Sequence, residues 1–152
     1  MKGAQLKTWM MMMVALVVWL GGSPADAAAA GRIEFKLKIK PKKGSGPVYC
    51  RLFSGPKGFP MKGQHAMKTV TARVNGKTAK CVFAKVPKGN YAVMAFHDLN
   101  NNGKLDTNWI GIPTEGVASS NNAKGKMGPP SFKSARFKVA GRFTQTLKLK
   151  YY

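Results

Sequence analysis

The nine residues 32–40, RIEFKLKIK, alternate strictly between apolar and charged side chains. The apolar positions carry isoleucine, phenylalanine and leucine, and the positions between them carry arginine, glutamate and lysine. Because successive side chains of a β-strand point to opposite faces of the sheet, this alternation predicts a β-strand. We therefore expect a half-buried strand whose solvent-facing side is mostly basic.

Six further segments have strand character, and no segment after residue 30 has a convincing helical period. One of them, YAVMAFH at residues 91–97, is apolar on both faces and is predicted to be a central strand. The others are residues 48–53, 68–74, 77–86, 132–139 and 143–152. About seven strands at roughly ten-residue spacing predict an all-β fold, an antiparallel β-sandwich of the immunoglobulin type.

Two of the connections between strands predict hairpins. Asn75-Gly76 separates two of the segments, and an Asn-Gly pair favours the positive φ angles that a two-residue hairpin turn requires. The tripeptide at 140–142 separates the last two segments in the same way. Residues 98–131 are rich in Gly, Asn, Ser and Pro and are predicted to form one long ordered loop, which in a small domain is usually functional.

The first 27 residues have the layout of a secretory signal sequence. Lys2 and Lys7 precede an apolar run at 9–20, and small residues up to Ala27 form an A-x-A cleavage pattern. The apolar run has 12 residues, and a helix that spans a bilayer needs about 20. We therefore expect cleavage of this segment, and its retention as a membrane anchor is the alternative. The expected mature protein is a single domain, residues 28–152, that has no transmembrane segment and is periplasmic or secreted.

The chain contains only two cysteines, Cys50 and Cys81, and each lies in a predicted strand. Export would place them in a compartment where disulfides persist, which favours one bridge between them. The bridge would close a loop of about 30 residues and stabilise the fold by about 3 kcal/mol on chain-entropy reasoning. Two buried free thiols are the alternative.

The chain is strongly basic, with 26 Lys and Arg against 5 Asp and Glu and a net charge of +21. All but two of the basic residues and all but one of the acidic residues follow residue 27. A sheet face coated with lysine favours binding to anionic envelope components such as lipopolysaccharide, or to nucleic acid by charge alone. No specific recognition of nucleic acid is predicted. In the alternative interpretation, the lysines only prevent strands from pairing edge to edge.

The stretch HDLNNNGKLD at 97–106 concentrates carboxylates in an acid-poor chain. Three of the four acidic residues after the signal, Asp98, Asp106 and Glu115, lie within 18 residues. The stretch also matches six places of a calcium-binding loop. Its side chains supply the first, third, fifth and ninth places with Asp98, Asn100, Asn102 and Asp106. Gly103 takes the sixth place, and the backbone carbonyl of Lys104 takes the seventh.

This calcium pattern is partial, because the twelfth place, usually glutamate, is Trp109. It predicts at most a weak calcium site, with a dissociation constant on the order of 0.1–1 mM. Asn and Asp side chains also bond to their own backbone in Asx-turns, so a loop that needs no metal is the alternative.

Several side chains are predicted to fasten the long loop to the sandwich. The expected anchors are His97, Trp109, Glu115, Asn121 and Phe132. Apolar neighbours expected to pin the loop with them are Phe96, Ile110 and Ile112, and residues expected to set its path are Gly103, Gly111, Pro113, Pro129 and Pro130. The central expectation is that Asp98 and Asp106 turn inward and hold the loop in place.

Catalysis has less support in the sequence. The only histidines are His65 and His97, and the side chains of His97 and Asp98 are expected to point to opposite faces of a strand, so no catalytic triad is predicted. The loop carboxylates could supply the acid and the base of a hydrolase, but their spacing in sequence does not fix their separation. We therefore interpret the protein as non-enzymatic, with a hydrolase as the alternative.

A set of short motifs extends over most of the chain after the signal. They are FHD at 96–98, NNNGKLDTN at 100–108, GIPTEG at 111–116, SNN at 120–122, GPPSF at 128–132, LFSGPKGFP at 52–60 and PKGNYAV at 87–93. With these motifs the chain resembles the exported bacterial proteins grouped as domain of unknown function 2141. The resemblance implies a small periplasmic or secreted β-sandwich, prealbumin-like in fold, and implies no activity. Positions commonly acidic in that family are Leu99 and Lys133 here, which counts against a calcium role.

Overall fold

The computed structural model describes residues 30–40 and 46–152, and the predicted signal sequence at 1–27 lies outside this range. The strands are β1 (Gly31–Lys38), β2 (Val48–Phe53), β3 (Lys68–Ala72), β4 (Thr78–Val86), β5 (Gly89–His97), β6 (Gly116–Ser119), β7 (Phe137–Val139) and β8 (Arg142–Lys148). One short helix, α1 (Phe132–Ala135), and two 3₁₀ turns, Gly63–His65 and Ser120–Asn122, complete the regular structure of this part of the chain. None of its helices has the length and apolar character needed to cross a membrane.

The strands form two sheets, which confirms the predicted all-β sandwich. The three-stranded sheet has the order β4-β1-β8, and the five-stranded sheet has the order β3-β2-β5-β6 with β7 also paired to β5. The pairings are antiparallel except that β1 and β8 run parallel. The described part of the chain thus has eight strands, one more than the sequence predicts.

The alternation in β1 has the predicted consequence for packing. Ile33, Phe35 and Leu37 are fully buried between the sheets, whereas Lys36 and Lys38 are exposed. The same inner layer contains the predicted disulfide between Cys50 and Cys81, which is confirmed. Because Cys50 lies in β2 and Cys81 in β4, the bridge joins the two sheets.

The strand β5 is buried on both faces, as predicted for a central strand, and it lies between β2 and β6. Tyr91, Val93 and Ala95 contribute to the core between the sheets. Met94 and Phe96 point the other way and form a second apolar cluster with Phe53, Tyr49, Phe59, Leu105, Val117 and Phe132. Loop residues therefore cover the outer face of the five-stranded sheet, and the acidic loop is part of that cover.

Both predicted hairpins are wrong in their pairing. β3 pairs with β2 and β4 pairs with β1, so the Asn75-Gly76 turn carries the chain from one sheet to the other with a single bridge between Asn75 and Thr78. Likewise β7 pairs with β5 and β8 with β1. A turn signal fixes the local reversal of the chain, but the strand's partner is decided by which sheet can bury its apolar side.

The long segment 98–131 is not a single loop. It contains β6, which pairs with β5 between Met94 and His97, and the 3₁₀ turn at Ser120–Asn122. The segment predicted as a strand at 132–139 begins instead with α1, because the Ser131 hydroxyl accepts the amide N–H of Ser134 at 3.1 Å and caps the helix. Strands of three or four residues are too short to give a clear period in sequence.

Candidate functional site

The acidic loop, residues 98–115, begins where β5 ends. Asp98 is fully buried, and its amide N–H donates to the carbonyl of Pro47 at 2.9 Å. Its carboxylate accepts the amide N–H of Asn102 at 3.0 Å and that of Gly103 at 2.7 Å. Gly103 has φ 74°, a left-handed conformation that glycine adopts without strain. The Asp98 side chain thus points inward and closes the turn that follows it.

Three further side chains of the calcium pattern converge above this turn. One carboxylate oxygen of Asp106 accepts the side-chain amide of Asn100 at 2.7 Å and that of Asn102 at 2.8 Å. The side-chain oxygen of Asn102 accepts the amide N–H of Lys104 at 2.8 Å. The structure therefore brings these predicted residues together through hydrogen bonds within the loop.

Glu115 ties the two ends of the loop to each other. Its carboxylate accepts the amide N–H of Leu99 at 2.8 Å and that of Asp106 at 3.2 Å. Burial raises the pKa of the Glu115 carboxyl above its usual range, and the two backbone hydrogen bonds oppose that shift. Of the predicted anchors, Glu115 has the most direct hold on the loop.

The loop carboxylates are balanced by N–H groups and not by lysine. Within residues 30–40 and 46–152, the single ion pair joins Lys80 and Glu34 at 3.4 Å. The same part of the chain contains no cluster of three or more His, Cys, Asp or Glu side chains arranged to hold a metal ion. In a chain of net charge +21, the loop carboxylates thus accept hydrogen bonds from backbone and asparagine N–H groups, and no described lysine forms an ion pair with them.

His97 anchors a different part of the chain from the one expected. It is fully buried, and its Nε2–H donates to the carbonyl of Gly46 at 3.1 Å, so its Nδ1 accepts the hydroxyl of Tyr151 at 2.8 Å. Burial lowers the pKa of His97 and raises that of Tyr151 to about 12, so both side chains are neutral near pH 7. His97 therefore fixes the C-terminal segment against β5 and does not bond to the acidic loop.

The two apolar residues predicted as anchors are placed differently: Phe132 packs on the second apolar cluster, and Trp109 faces outward. Phe132 packs edge-on against Phe59 in the second apolar cluster, with ring centroids 5.9 Å apart. Trp109 is 94% exposed, and its neighbours Ile110 and Ile112 are exposed as well. The apolar side chain of this loop that packs against the sheet is Leu105, which is half-buried. Sequence reasoning missed it because an apolar residue in a loop has no period that reveals its direction.

Asn121 and its neighbours hold the segment after β6. The Asn121 side-chain amide donates to the carbonyls of Ser134 and Arg136, and its side-chain oxygen accepts the Gln145 amide at 3.1 Å. Ser120 is fully buried, donates to the carbonyl of Ala135 at 2.6 Å and accepts the amide N–H of Val93 at 2.9 Å. Asn121 thus bonds this segment to α1 and β8, and Ser120 and Gln145 make further bonds that the sequence did not indicate.

The outer face of the three-stranded sheet is a second candidate site, which we call the basic face. Cross-strand register places like charges directly opposite each other: Arg32 and Arg142, Lys36 and Lys80, Lys38 and Lys148. These six side chains are exposed, and Glu34 is the one acidic residue among the described positions of this face. Like charges in directly opposed positions destabilise a sheet, so folding alone does not account for this arrangement.

Comparison with known proteins identifies the chain by family alone. The family described as "uncharacterized protein conserved in bacteria" (DUF2141) matches residues 39–146. No curated protein and no solved structure matches the chain. The matched region takes in all of the acidic loop, the five-stranded sheet, β4 and most of β8, and it begins just after β1. It covers well over half of the chain, and the chain therefore belongs to the DUF2141 family.

Proposed function

We propose that the protein is an exported, non-enzymatic β-sandwich that binds anionic components of the cell envelope through its basic face. The observation that carries the proposal is the opposition of like charges in three cross-strand pairs. The Arg32–Arg142 and Lys38–Lys148 pairs each raise the free energy of the unliganded sheet by about a few tenths of a kcal/mol. In the third pair, the ion pair of Lys80 with Glu34 at 3.4 Å offsets part of the repulsion. An anion bound across two of the strands would remove that cost, so the arrangement favours the bound state.

The position of the lysines argues against edge protection as their main role. Lys36 and Lys38 belong to β1, which is the middle strand of the three-stranded sheet. Charges that prevent edge-to-edge pairing act on edge strands, which here are β4 and β8. Lysines in the middle of an exposed face are better explained by a ligand that lies on that face.

The geometry of the acidic loop supports a structural role rather than a catalytic one. Asp98 and Glu115 are buried, and each carboxylate accepts two backbone amide N–H groups. A general base must have a free lone pair within reach of a substrate proton. Their hydrogen bonds point into the loop, which supports the non-enzymatic interpretation and counts against the hydrolase alternative.

Binding to purified lipopolysaccharide at increasing salt tests the proposal. Wild type should bind at low salt and lose affinity steeply as salt rises, because the interaction is electrostatic. The double variant Lys36→Gln/Lys38→Gln should bind several-fold more weakly, whereas Lys57→Gln/Lys62→Gln, the same charge change on an exposed loop, should bind nearly as wild type. Equal losses in the two variants, or binding that salt does not weaken, would contradict the basic face as the site.

A parallel titration with double-stranded DNA separates two classes of polyanion. If lipopolysaccharide is the better ligand at matched salt, the envelope assignment stands. If DNA binds more tightly and its affinity depends on the same two lysines, the ligand is nucleic acid and the envelope assignment is wrong.

A weak calcium site in the acidic loop is a second candidate function. It is favoured by the convergence of Asn100, Asn102 and Asp106, since a half turn of the two side-chain amides would present oxygen atoms to a cation beside the carboxylate. Both oxygens of Asp98 already accept amide N–H groups, so we expect a dissociation constant no better than about 0.1 mM.

Calorimetric titration of the chelator-washed protein with calcium tests this candidate. Binding heat that is lost in Asp106→Asn supports a metal site. The absence of both heat and a thermal shift at several millimolar calcium leaves the loop with its structural role alone.

A further inference from the structure

A groove on the surface of the sandwich combines lysines with exposed apolar side chains. It lies between residues 110–113, β6, residues 122–130 and residues 148–152, and it has a volume of about 1360 Å³. We call it the lysine-rimmed groove, after Lys40, Lys124, Lys126, Lys148 and Lys150, which line it. None of the described residues that line it is acidic.

The groove also collects the exposed apolar side chains of the protein. Seven large hydrophobic residues are exposed in the described part of the chain, and five of them line this groove: Met61, Ile110, Ile112, Met127 and Tyr152. A sixth, Trp109, precedes Ile110 directly and is 94% exposed. Scattered apolar residues on a surface need no explanation, but a cluster of them marks an interaction site.

The two kinds of side chain together specify the chemistry of the occupant. Five lysines without an acidic neighbour require negative charge in the ligand, and the exposed apolar cluster requires hydrocarbon beside that charge. A free polysaccharide or a nucleic acid backbone supplies the charge without the hydrocarbon. An anionic lipid surface supplies both, with phosphate at the level of the lysines and acyl chains beneath.

Trp109 fits the same occupant. Tryptophan is enriched at the boundary between lipid headgroups and acyl chains, where its ring is buried and its N–H remains near water. In this protein it stands at an exposed turn, which the Asn108 side-chain oxygen closes by accepting the amide N–H groups of Ile110 and Ile112. The turn therefore presents Trp109 and Ile110 together, beside the lysines of the groove.

We infer that the lysine-rimmed groove and the turn at Trp109 dock the protein onto an anionic lipid surface. This inference rests on the proposed function, because it names the anionic component that this part of the molecule recognises. Lys148 belongs both to the basic face and to the groove, so the positive charge is continuous from one to the other. The lipid surface is the partner of the groove, and the basic face extends the contact with charge alone.

Tryptophan emission gives a direct test in the full chain. Replacing Trp9 and Trp19 by phenylalanine leaves Trp109 as the single tryptophan. With vesicles that contain phosphatidylglycerol, emission should shift to shorter wavelength, and with phosphatidylcholine vesicles it should not. No shift with the anionic vesicles, or the same shift with both kinds, would overturn the inference.

Two groove variants in the same background separate charge from apolar contact. Lys124→Gln/Lys126→Gln should weaken binding to the anionic vesicles about tenfold or more, while Lys57→Gln/Lys62→Gln should have a much smaller effect. Ile110→Ser/Met127→Ser should weaken vesicle binding without changing the salt dependence of that binding, because both substitutions leave the lysines in place. Thermal unfolding that is unchanged in these variants shows that the fold is intact, and vesicle binding as tight as in the unsubstituted groove would overturn the inference.

The outcomes also distinguish this inference from the proposed function. If the groove variants bind vesicles normally while Lys36→Gln/Lys38→Gln loses lipopolysaccharide, the basic face stands and the groove inference fails. If the groove variants lose vesicle binding while the basic-face variant keeps lipopolysaccharide, the groove stands and the proposed role of the basic face fails.

Discussion

In the acidic loop each buried carboxylate is surrounded by N–H donors, whereas on the basic face the charged side chains lie opposite side chains of the same sign. Asp98 and Glu115 accept four backbone amides between them. The basic face has one carboxylate, Glu34, for six arginine and lysine residues. The buried carboxylates of the loop thus have hydrogen-bond donors within the protein, whereas on the basic face we propose that a bound anion supplies the missing negative charge.

This difference separates what stabilises the fold from what is available for binding. Buried charges that accept several hydrogen bonds are costly to remove, since their donors are left without partners. Exposed charges that repel one another are costly to keep, and their removal should leave the fold as stable as before or more so. Substitutions in the two regions should therefore change the free energy of unfolding in opposite directions.

The largest effect is expected at Asp98. Asp98→Ala leaves the amide N–H groups of Asn102 and Gly103 without acceptors next to a buried site, which should lower the free energy of unfolding by about 3 kcal/mol. Denaturant titration measures this loss. The control is Asn100→Ala, whose exposed side chain makes one hydrogen bond within the loop and should cost less than about 1 kcal/mol. Similar losses for both would mean that Asp98 does not hold the loop.

The disulfide links the sheet that carries the basic face to the sheet that the acidic loop covers. The double variant Cys50→Ala/Cys81→Ala should lose about 3 kcal/mol, because the loop of 31 residues is no longer closed in the unfolded chain. Thermal and denaturant unfolding report the change. Wild type unfolded in the presence of a reductant should approach the free energy of unfolding of the double variant. A wild type whose free energy of unfolding is unchanged by the reductant would contradict the Cys50–Cys81 bridge.

A smaller difference should separate two apolar residues of the acidic loop. Leu105→Ala removes a side chain that packs on the second apolar cluster and should cost about 1–2 kcal/mol. Trp109→Ala removes a larger side chain that is almost entirely exposed and should change stability by less than about 0.5 kcal/mol. Equilibrium unfolding of the two variants measures both losses of stability. A larger loss for Trp109→Ala than for Leu105→Ala would mean that Trp109 holds the loop.

The pH dependence of stability should carry a signature of Glu115. Its pKa in the folded protein is raised by burial above 4.5, so between the unfolded and the folded pKa the folded state holds a proton that the unfolded state has released. The contribution of this residue to stability is therefore fully present below pH 4.5 and declines as pH rises through the folded pKa. In Glu115→Gln this decline should be absent, which unfolding measurements of both proteins between pH 4 and 7 can test. Parallel profiles would contradict the raised pKa.

The sequence predicts those parts of this structure that depend on local pattern. The period of two in residues 32–40 is sufficient to identify β1 and its exposed lysines, and the crowding of Asp98, Asp106 and Glu115 is sufficient to mark the loop. The pairing of strands is not local. The turn at Asn75-Gly76 has the composition of a hairpin turn, yet it connects two sheets because β3 and β4 each pair with a different neighbour.

The acidic loop and the lysine-rimmed groove differ in how much of each the sequence predicts. The donors that satisfy Asp98 and Glu115 are backbone amides, which every residue except proline carries and which composition cannot reveal. The lysine-rimmed groove combines segments that are far apart in the chain, among them Lys40, Lys124 and Lys148. No local spacing relates these residues, and only the parallel pairing of β8 with β1 brings the last of them beside the first strand.

The interaction between Lys38 and Lys148 tests the central claim most directly. A double-mutant cycle with Lys38→Gln, Lys148→Gln and the double variant isolates the coupling energy between the two opposed side chains. In the free protein at low salt we expect this coupling to be repulsive by a few tenths of a kcal/mol, and in the presence of saturating lipopolysaccharide we expect the repulsion to vanish or to become attractive. An attractive coupling in the free protein, or a repulsion that the bound anion leaves unchanged, would contradict the claim that the basic face is completed by an anion.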